Sequence, residues 1–140
     1  MHGAFGTFAA ELGVQVECDE FGNTFASFPC ASREGVRLIG SHLDSVPHGG
    51  VYDGVTGVLA GLLVMKMCLD EGVTPPIETV AFRCEESSAF DYACVGSSLM
   101  LGLLDENKTK KLTRDDGVAL YYVLKTRNPD VELPEKPNGG

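Results

Sequence analysis

The sequence lacks any apolar run of the roughly 20 residues that a membrane-spanning helix needs, and its N-terminus lacks the basic and apolar regions of a signal peptide. It is also poor in positive charge, with 11 Lys and Arg against 20 Asp and Glu and a net charge of -9. Phosphate backbones and anionic membranes attract cations, so this balance disfavours both as partners. We therefore expect a cytoplasmic protein that binds neither nucleic acid nor membranes.

Cysteine is present without its usual structural patterns. The cysteines are odd in number and show no C-x-x-C spacing, so the sequence indicates neither a disulfide framework nor a thiolate zinc site. We expect most of them to be reduced and buried. Cys84 stands beside two glutamates and could act as a nucleophile, although we favour a packing role. The five residues are Cys18, Cys30, Cys68, Cys84 and Cys94.

Size and composition predict one packed domain. A chain of 140 residues is close to the usual size of a single domain. A content of 44% hydrophobic and 22% charged residues is typical of a globular protein rather than a disordered one. Pro129, Pro134 and Pro137 predict an exposed tail or linker over residues 128–140, which leaves residues 1–127 for the domain.

Hydrophobic periodicity predicts an α/β fold. Residues 36–40 and 77–82 are short apolar runs typical of buried strands, and residues 54–71 between them carry apolar positions at helical spacing. This order is typical of a right-handed crossover between parallel strands. Gly72 is placed to end the helix as a C-terminal cap. The other predicted elements are a helix at 3–12, a hairpin of strands at 14–18 and 24–28, a short helix at 95–104, and a helix capped by Thr113 that reaches residue 124.

Side chains that can bind metal follow both strands of this crossover unit. His42, Asp44 and Asp53 follow the first strand, and Glu85 and Glu86 follow the second. In open α/β sheets, ligands gather outside the carboxyl ends of the strands, and adjacent parallel strands bring two such segments together. We therefore predict one site formed by these side chains.

Each of these residues also has a simpler interpretation. His42 can bind a metal while Asp44 accepts a hydrogen bond from its other ring nitrogen, but His-x-Asp alone is weak support. Asp53 can bind cations, although in isolation a helix N-cap is the preferred interpretation. Glu85 and Glu86 alone are typical of a solvated turn. Together, however, the residues indicate that one carboxylate binds metal while the other accepts a proton from activated water.

Four motifs carry a specific resemblance to a known family. The segments GSHLDSVP (40–47), GGVYDG (49–54), EES (85–87) and GS (96–97) resemble, in order, motifs of the zinc-peptidase-like amidases. This family contains N-carbamoyl-L-amino-acid hydrolases and allantoate and ureidoglycolate amidohydrolases. Residues 19–25 also resemble its early D-x-x-G-N hairpin, and residues 112–124 resemble one of its later helices.

The resemblance implies a fold, a reaction and residue roles. The implied fold is a three-layer αβα zinc-exopeptidase-like catalytic domain with a partly parallel mixed sheet, incomplete here over residues 1–127. The implied reaction is C–N bond hydrolysis of an N-carbamoyl-amino-acid or ureido substrate by metal-activated water. His42 would bind one of two divalent ions (zinc, or else manganese, cobalt or nickel), Asp53 would bridge them and Glu86 would bind the second. Glu85 would be the general base, and Asp44 would orient His42.

The resemblance also implies that part of the family's site is missing. Relatives carry two more metal-binding histidines later in the sequence, a separate dimerisation domain and a longer N-terminal segment. With His42, Asp53 and Glu86 alone both metals would be short of ligands, so we expect weak or absent binding and an activity that needs the missing part. Missing strands would leave open sheet edges, which favour self-association or pairing with a complementary fragment.

Two alternatives remain open. One is an aminoacylase, dipeptidase or carboxypeptidase of the same superfamily, which the loop at 46–50 and the EES motif disfavour. The other is an inactive truncated product that acts only as an oligomeric or partner-binding module. Outside the motifs, we predict His48 to be a loop histidine rather than a ligand and His2 to be a terminal residue without a role. Ala89 stands where relatives often carry an arginine.

Overall fold

A four-stranded mixed sheet forms the centre of the fold. The structure, a computed structural model, describes residues 2–29 and 34–137. The strands are β1 (Gln15–Cys18), β2 (Thr24–Ser27), β3 (Arg37–His42) and β4 (Ile77–Phe82), and the helices are α1 (His2–Glu11), α2 (Val55–Asp70), α3 (Val95–Met100), α4 (Glu106–Lys111) and α5 (Leu120–Arg127). The strand order is β1-β2-β4-β3, with only the β3–β4 pair parallel. The predicted α/β class and partly parallel sheet are therefore confirmed.

Helices α1 and α2 cover one face of the sheet. Gly61 of α2 packs against Thr79 of β4 and Ile39 of β3, so these side chains point towards the helices. Leu38 points to the opposite face because side chains alternate along a strand, and it is 45% exposed. Of the three predicted layers, the described residues provide the sheet and one helical layer, as expected of an incomplete domain. The core on the covered face includes Phe5, Ala9, Ala26, Val58, Leu62, Met65 and Ala81.

Helix α2 ends at the predicted glycine. Gly72 has a φ of 69°, and its amide donates to the carbonyl O of Leu69 at 3.0 Å. The next amide, that of Val73, donates to the carbonyl O of Cys68 at 2.9 Å. These two bonds form the Schellman arrangement, which needs a left-handed residue and so favours glycine. The chain can then turn back and enter β4 beside β3.

A second core, formed by α3, α5 and the segments next to them in the chain, lies beyond the carboxyl end of β4. Phe21 of the β1–β2 turn and Cys84, just after β4, pack against it. Val131, within the predicted tail, is 1% exposed and belongs to this core, and Lys125 Nζ donates to its carbonyl O at 2.7 Å. The segment from residue 128 is thus exposed only in part, and the domain boundary at 127 stays a prediction. The core comprises Phe90, Val95, Leu99, Leu104, Leu120, Leu124 and Val131.

Several element boundaries differ from the prediction. β3 continues to His42, two residues beyond the predicted strand end at residue 40. α5 begins at Leu120 rather than after a Thr113 cap, because Thr113 forms a β-bridge with Ala119 around a turn. Helix α4 was not predicted, although Asp105 caps it by accepting the Lys108 amide at 2.6 Å.

The cysteine predictions are confirmed only in part. Cys18, Cys68, Cys84 and Cys94 are free thiols, but Cys18 and Cys94 are exposed and Cys68 and Cys84 are only half-buried, so the expected burial is not found for these four. Cys30 lies outside the described residues. Across residues 2–29 and 34–137, none of the helices has both the length and the apolar character needed to cross a bilayer.

Candidate metal centre

Parallel pairing of β3 and β4 brings the polar segments together at one end of the sheet. His42, the last residue of β3, pairs with Phe82, the last residue of β4. His42 Nε2 lies 3.4 Å from Glu85 Oε2 and 3.8 Å from Asp53 Oδ1. Potential ligand atoms of His42, Glu85 and Glu86 all lie within 4.8 Å of one another. The structure thus brings together the side chains that the sequence placed after the two strands.

The main chain determines which nitrogen of His42 faces this cluster. Nδ1 lies 2.9 Å from the backbone carbonyl O of Asp44. A carbonyl oxygen only accepts hydrogen bonds, so Nδ1 carries a hydrogen, and Nε2 is the ring nitrogen that faces the carboxylates. The sequence predicted this contact for the Asp44 carboxylate, but Asp44 Oδ1 lies 3.8 Å from Nδ1, beyond hydrogen-bond distance. The ring is therefore oriented by the backbone of Asp44.

The Asp44 carboxylate instead links the two strand ends. Its Oδ2 accepts the amide hydrogen of Glu86 at 3.0 Å. Its Oδ1 is buried and has no hydrogen-bond partner among the described residues. Buried polar atoms of native proteins are nearly always satisfied, so this oxygen marks a place where a cation or a further donor fits.

Asp53 reaches the cluster through a glycine turn and does not cap α2. The N-cap residue of α2 is Gly54, and no side chain makes a capping hydrogen bond there. The preferred interpretation of Asp53 in isolation, a helix N-cap, is therefore wrong. Gly54 has a φ of 65°, and a Cβ at this position would lie 2.5 Å from His42 Nδ1. Only glycine lets the backbone before α2 pass this close to the His42 ring.

The carboxylates of the cluster repel one another. A hydrogen bond with Asp53 raises the pKa of Glu86, and desolvation and the charges of Asp53 and Glu85 raise it further, against the opposing effect of His42. A proton or a cation relieves such repulsion. One imidazole nitrogen with several carboxylate oxygens is a donor set suited to Zn²⁺ and other divalent first-row metals. The residues present therefore fit a divalent metal ion.

Two cysteines flank the acidic pair. Burial and the Asp44 charge raise the pKa of the Cys84 thiol, so the reactive thiolate is disfavoured and the packing interpretation is supported. Cys94 Sγ donates to Glu85 Oε1 at 3.3 Å. Sequence reasoning did not identify Cys94 as a neighbour of Glu85, because no spacing or motif signals this contact.

The remaining residues singled out from the sequence lie outside the cluster. His48 is exposed, with a φ of 64°, and it is not one of the grouped ligand residues. Ala89 is half-buried against the second core. His2, predicted to have no role, begins α1 and is half-buried, with Nδ1 3.0 Å from Thr24 Oγ1. Burial and the nearby Arg83 charge lower the pKa of His2 to about 4.

The chain is similar to known amidohydrolases in both sequence and structure. No model of a protein family matches it. It is 37% identical over 134 residues to the N-carbamoyl-L-amino acid amidohydrolase of Geobacillus stearothermophilus, covering 92% of this chain and 32% of that protein. It is 34% identical over 121 residues to the allantoate amidohydrolase of Bacillus subtilis, covering 84% of this chain and 29% of that protein.

A solved structure agrees with the sequence similarity. The hydantoinase/carbamoylase family amidase from Burkholderia ambifaria superposes with a TM-score of 0.78 at 35% identity, covering 90% of this chain and 32% of that one. The chain therefore spans about a third of the length of these relatives.

Proposed function

Because this chain belongs to the hydantoinase/carbamoylase amidase family over the third of the family's length that it spans, we propose that it forms part of a metal-dependent amidohydrolase site. The proposed reaction is hydrolysis of a C–N bond in an N-carbamoyl-amino-acid or ureido substrate. The observation that carries this proposal is the convergence of His42 with Glu85, Glu86 and Asp53 at the ends of β3 and β4.

The proposed residue roles are based on those that the family resemblance implies, and the geometry of the cluster is compatible with them. His42 would hold a divalent ion through Nε2, with Glu86 and Asp53 as carboxylate ligands. Such an ion, when bound, supplies Lewis-acid polarisation of a substrate carbonyl and of water. Glu85 faces the same space, with Oε2 3.4 Å from Nε2, and would act as the general base for the attacking water. Asp44 would position two residues of the site. Its backbone carbonyl accepts from the His42 ring, and its carboxylate accepts from the Glu86 amide.

The substrate class is proposed from the relatives. Those named above are an N-carbamoyl-L-amino acid amidohydrolase and an allantoate amidohydrolase. The side chains of Asp53 and Glu85 are 39% and 34% exposed, so a small molecule can reach their carboxylates.

Metal titration is the direct test of the site. We expect saturable but weak binding of Zn²⁺ to the 140-residue chain, followed by NMR shifts of the His42 ring and the Glu86 amide. Glu86→Gln should weaken binding, because it removes a charged ligand. Asp70→Asn, which removes an exposed carboxylate paired with Lys66 on α2, should not. Equal effects of both variants, or no shift at His42, would refute the metal site.

The reaction is tested separately from metal binding. The Zn²⁺-loaded chain is assayed with N-carbamoyl-L-amino acids and allantoate, alone and mixed with the remaining two-thirds of a relative from which the matching segment has been removed. We expect little turnover alone and a gain on mixing that is lost with Glu85→Gln. Full turnover alone would eliminate the inactive-module alternative, whereas metal binding without turnover in either assay would favour it.

Self-association is a second proposed property. β3 is an edge strand of the described sheet, and Leu38 on its uncovered face is 45% exposed. Open strand edges and apolar patches promote pairing with another chain. We expect the apparent mass in size-exclusion chromatography with light scattering to rise with protein concentration, and to rise less for Leu38→Lys. A constant monomeric mass would contradict this proposal.

A further inference from the structure

A fully buried asparagine connects the first hairpin to the segment that carries the acidic pair. Asn23 is 0% exposed. Its Oδ1 accepts the amide hydrogen of Arg83 at 3.0 Å, and its Nδ2 donates to Asp19 Oδ2 at 2.6 Å and to the carbonyl O of Gly96 at 3.0 Å. One side chain therefore joins the β1–β2 turn, the end of β4 and the start of α3.

Asp19 holds Asn23 in the conformation that makes these bonds. Asp19 Oδ1 accepts the backbone amides of Phe21 at 3.0 Å and Asn23 at 2.8 Å, while Oδ2 accepts from the Asn23 side chain. A second link runs from Arg83 Nε to the carbonyl O of Gly22 at 2.8 Å. The turn is thus held by its own hydrogen bonds, independently of its contacts with Arg83, and it can act as a rigid support.

The segment held by this support is itself under backbone strain. The carbonyls of Arg83, Cys84 and Glu85 accept the amides of Gly96, Val95 and Cys94, respectively, at 2.9, 2.9 and 2.7 Å. Cys84 and Cys94 have φ values of 48° and 58°, in the left-handed region that non-glycine residues rarely adopt. Such conformations persist only where the surroundings over-determine them.

We propose that Asn23 is a positioning residue for the metal centre. Asn23 holds the strained Arg83–Glu86 backbone so that Glu85 and Glu86 face His42. This inference rests on the proposed function, because it takes Glu85 and Glu86 to be residues of the proposed metal centre. Asn23 touches none of the cluster atoms and acts through the Arg83 amide and the Gly96 carbonyl. Buried polar networks of this kind fix one conformation when every member is satisfied, as Asn23 is here.

The close packing around Gly96 supports a positioning role over general packing. A Cβ at Gly96 would lie 2.3 Å from Asn23 Oδ1 and 2.6 Å from the Arg83 carbonyl O. The asparagine amide therefore fits between two backbone segments with no room for adjustment. Moving or shortening this side chain must release Arg83 and Gly96 together, and Glu86 follows Arg83 closely in the chain.

The test compares Asn23→Ala and Asn23→Asp with a control of similar burial. Asn23→Asp keeps an oxygen acceptor for the Arg83 amide but places a buried carboxylate oxygen against Asp19 Oδ2 and the Gly96 carbonyl O, where Asn23 donates, so we expect an effect larger than that of Asn23→Ala. Thr109→Ala removes a different fully buried polar side chain, in α4, whose Oγ1 donates to the Glu106 carbonyl O at 2.9 Å. It should lower stability without reaching the metal centre.

The first measurement is amide hydrogen exchange of the metal-free 140-residue chain. Asn23→Ala should speed exchange at the Glu86 and Cys94 amides while Val80, at the centre of β4, stays protected. Thr109→Ala should not change the ratio between these amides. If the Asn23 variants and Thr109→Ala change all amides in parallel, or if Glu86 exchange is unaffected, the positioning role is overturned. Should Asn23→Ala fail to fold, the same criteria apply to Asn23→Ser, which keeps a neutral hydrogen-bonding side chain at this buried position.

The second measurement is Zn²⁺ titration followed by NMR. Loss of a group that supports metal ligands typically weakens affinity about 10- to 100-fold, and we expect Asn23→Ala to fall in that range while Thr109→Ala stays near wild type. If wild type binds and Asn23→Ala binds equally well, the positioning role fails and the proposed function stands. If wild type does not bind Zn²⁺, the metal site fails, and amide exchange alone decides whether Asn23 holds the segment.

Discussion

The two segments that carry the metal-centre residues are held in place very differently. The acidic segment, residues 83–96, is fastened by three backbone hydrogen bonds within itself, by Asn23 and by the Asp44 carboxylate. The glycine loop, residues 43–54, is exposed throughout residues 45–52. Its hydrogen bonds with other described residues over that stretch are local, among them Gly49 to Val46 and Asp53 to Gly50.

This difference divides the site into fixed and adaptable parts. His42 belongs to β3, and Glu85 and Glu86 belong to the fastened acidic segment, so these three are preorganised. Asp53 alone comes from the glycine loop, and Gly54 brings it beside His42. We infer that ion binding would order Asp53 most and Glu86 least, since a preorganised group loses less freedom on binding.

The largest expected effect comes from replacing a glycine with alanine in the acidic segment, compared with the same change in the glycine loop. Gly96→Ala places a Cβ 2.3 Å from Asn23 Oδ1 and 2.6 Å from the Arg83 carbonyl, and neither can move away. We expect a loss of about 3 kcal/mol in the free energy of unfolding measured by urea denaturation. Gly50→Ala meets nothing within 4 Å in the glycine loop and should stay within about 0.5 kcal/mol of wild type. Similar losses of unfolding free energy for both variants would show that the two segments do not differ in how tightly they are held.

The parts of the fold that the sequence predicted well are those fixed by local signals. The strand at 77–82 matches β4 to the residue, because an apolar run follows Pro75 and Pro76 directly. Gly72 ends α2 because the Schellman bonds need a left-handed residue. Thr113 misled the prediction, since a Thr before an apolar periodic stretch is typical of an N-cap, whereas here it pairs with Ala119 across a turn.

The site could be predicted in outline but not in its atoms. Parallel pairing of two strands was enough to place His42 near Glu85 and Glu86. The sequence could not show that the carbonyl of Asp44, rather than its carboxylate, meets His42, because backbone curvature after β3 decides this. Nor could it show the bond from Asn23 to Gly96, which joins residues far apart in the chain. The residue roles themselves stay predictions.

A smaller effect is expected from charge removal in the metal-free chain. The pKa of Glu86 is raised above its ordinary value of 4.5, so its contribution to stability is present below that value and is lost as pH rises through the folded pKa. Glu86→Gln should therefore melt above wild type at neutral pH in EDTA, with the difference vanishing in acid. Asp53→Asn should gain less, because the glycine loop lets Asp53 move away. An equal gain would mean that both segments are rigid.

Acid should lower stability at the contact between His2 and the first hairpin. The pKa of His2 falls from 6.5 to about 4 through burial and the Arg83 charge. Its contribution to stability is thus intact above the ordinary pKa and is lost as pH falls from 6.5 towards 4. We expect the melting temperature of His2→Gln, which can still hydrogen-bond Thr24, to depend modestly less on pH between 6.5 and 4 than that of wild type. An unchanged profile would place the acid sensitivity elsewhere.

The smallest effect is expected at His48, and it tests whether the glycine loop takes part in metal binding. Imidazole is a common metal ligand, so a histidine in the glycine loop could in principle complete the site. However, His48 is exposed, lies outside the grouped ligand residues and has a φ of 64°, which glycine adopts more easily. His48→Gly should therefore change the free energy of unfolding by less than about 1 kcal/mol and leave Zn²⁺ affinity at the wild-type value. A clear loss of affinity would show that the glycine loop closes over the ion and brings His48 in as a ligand, and the loop would then be a working part of the centre.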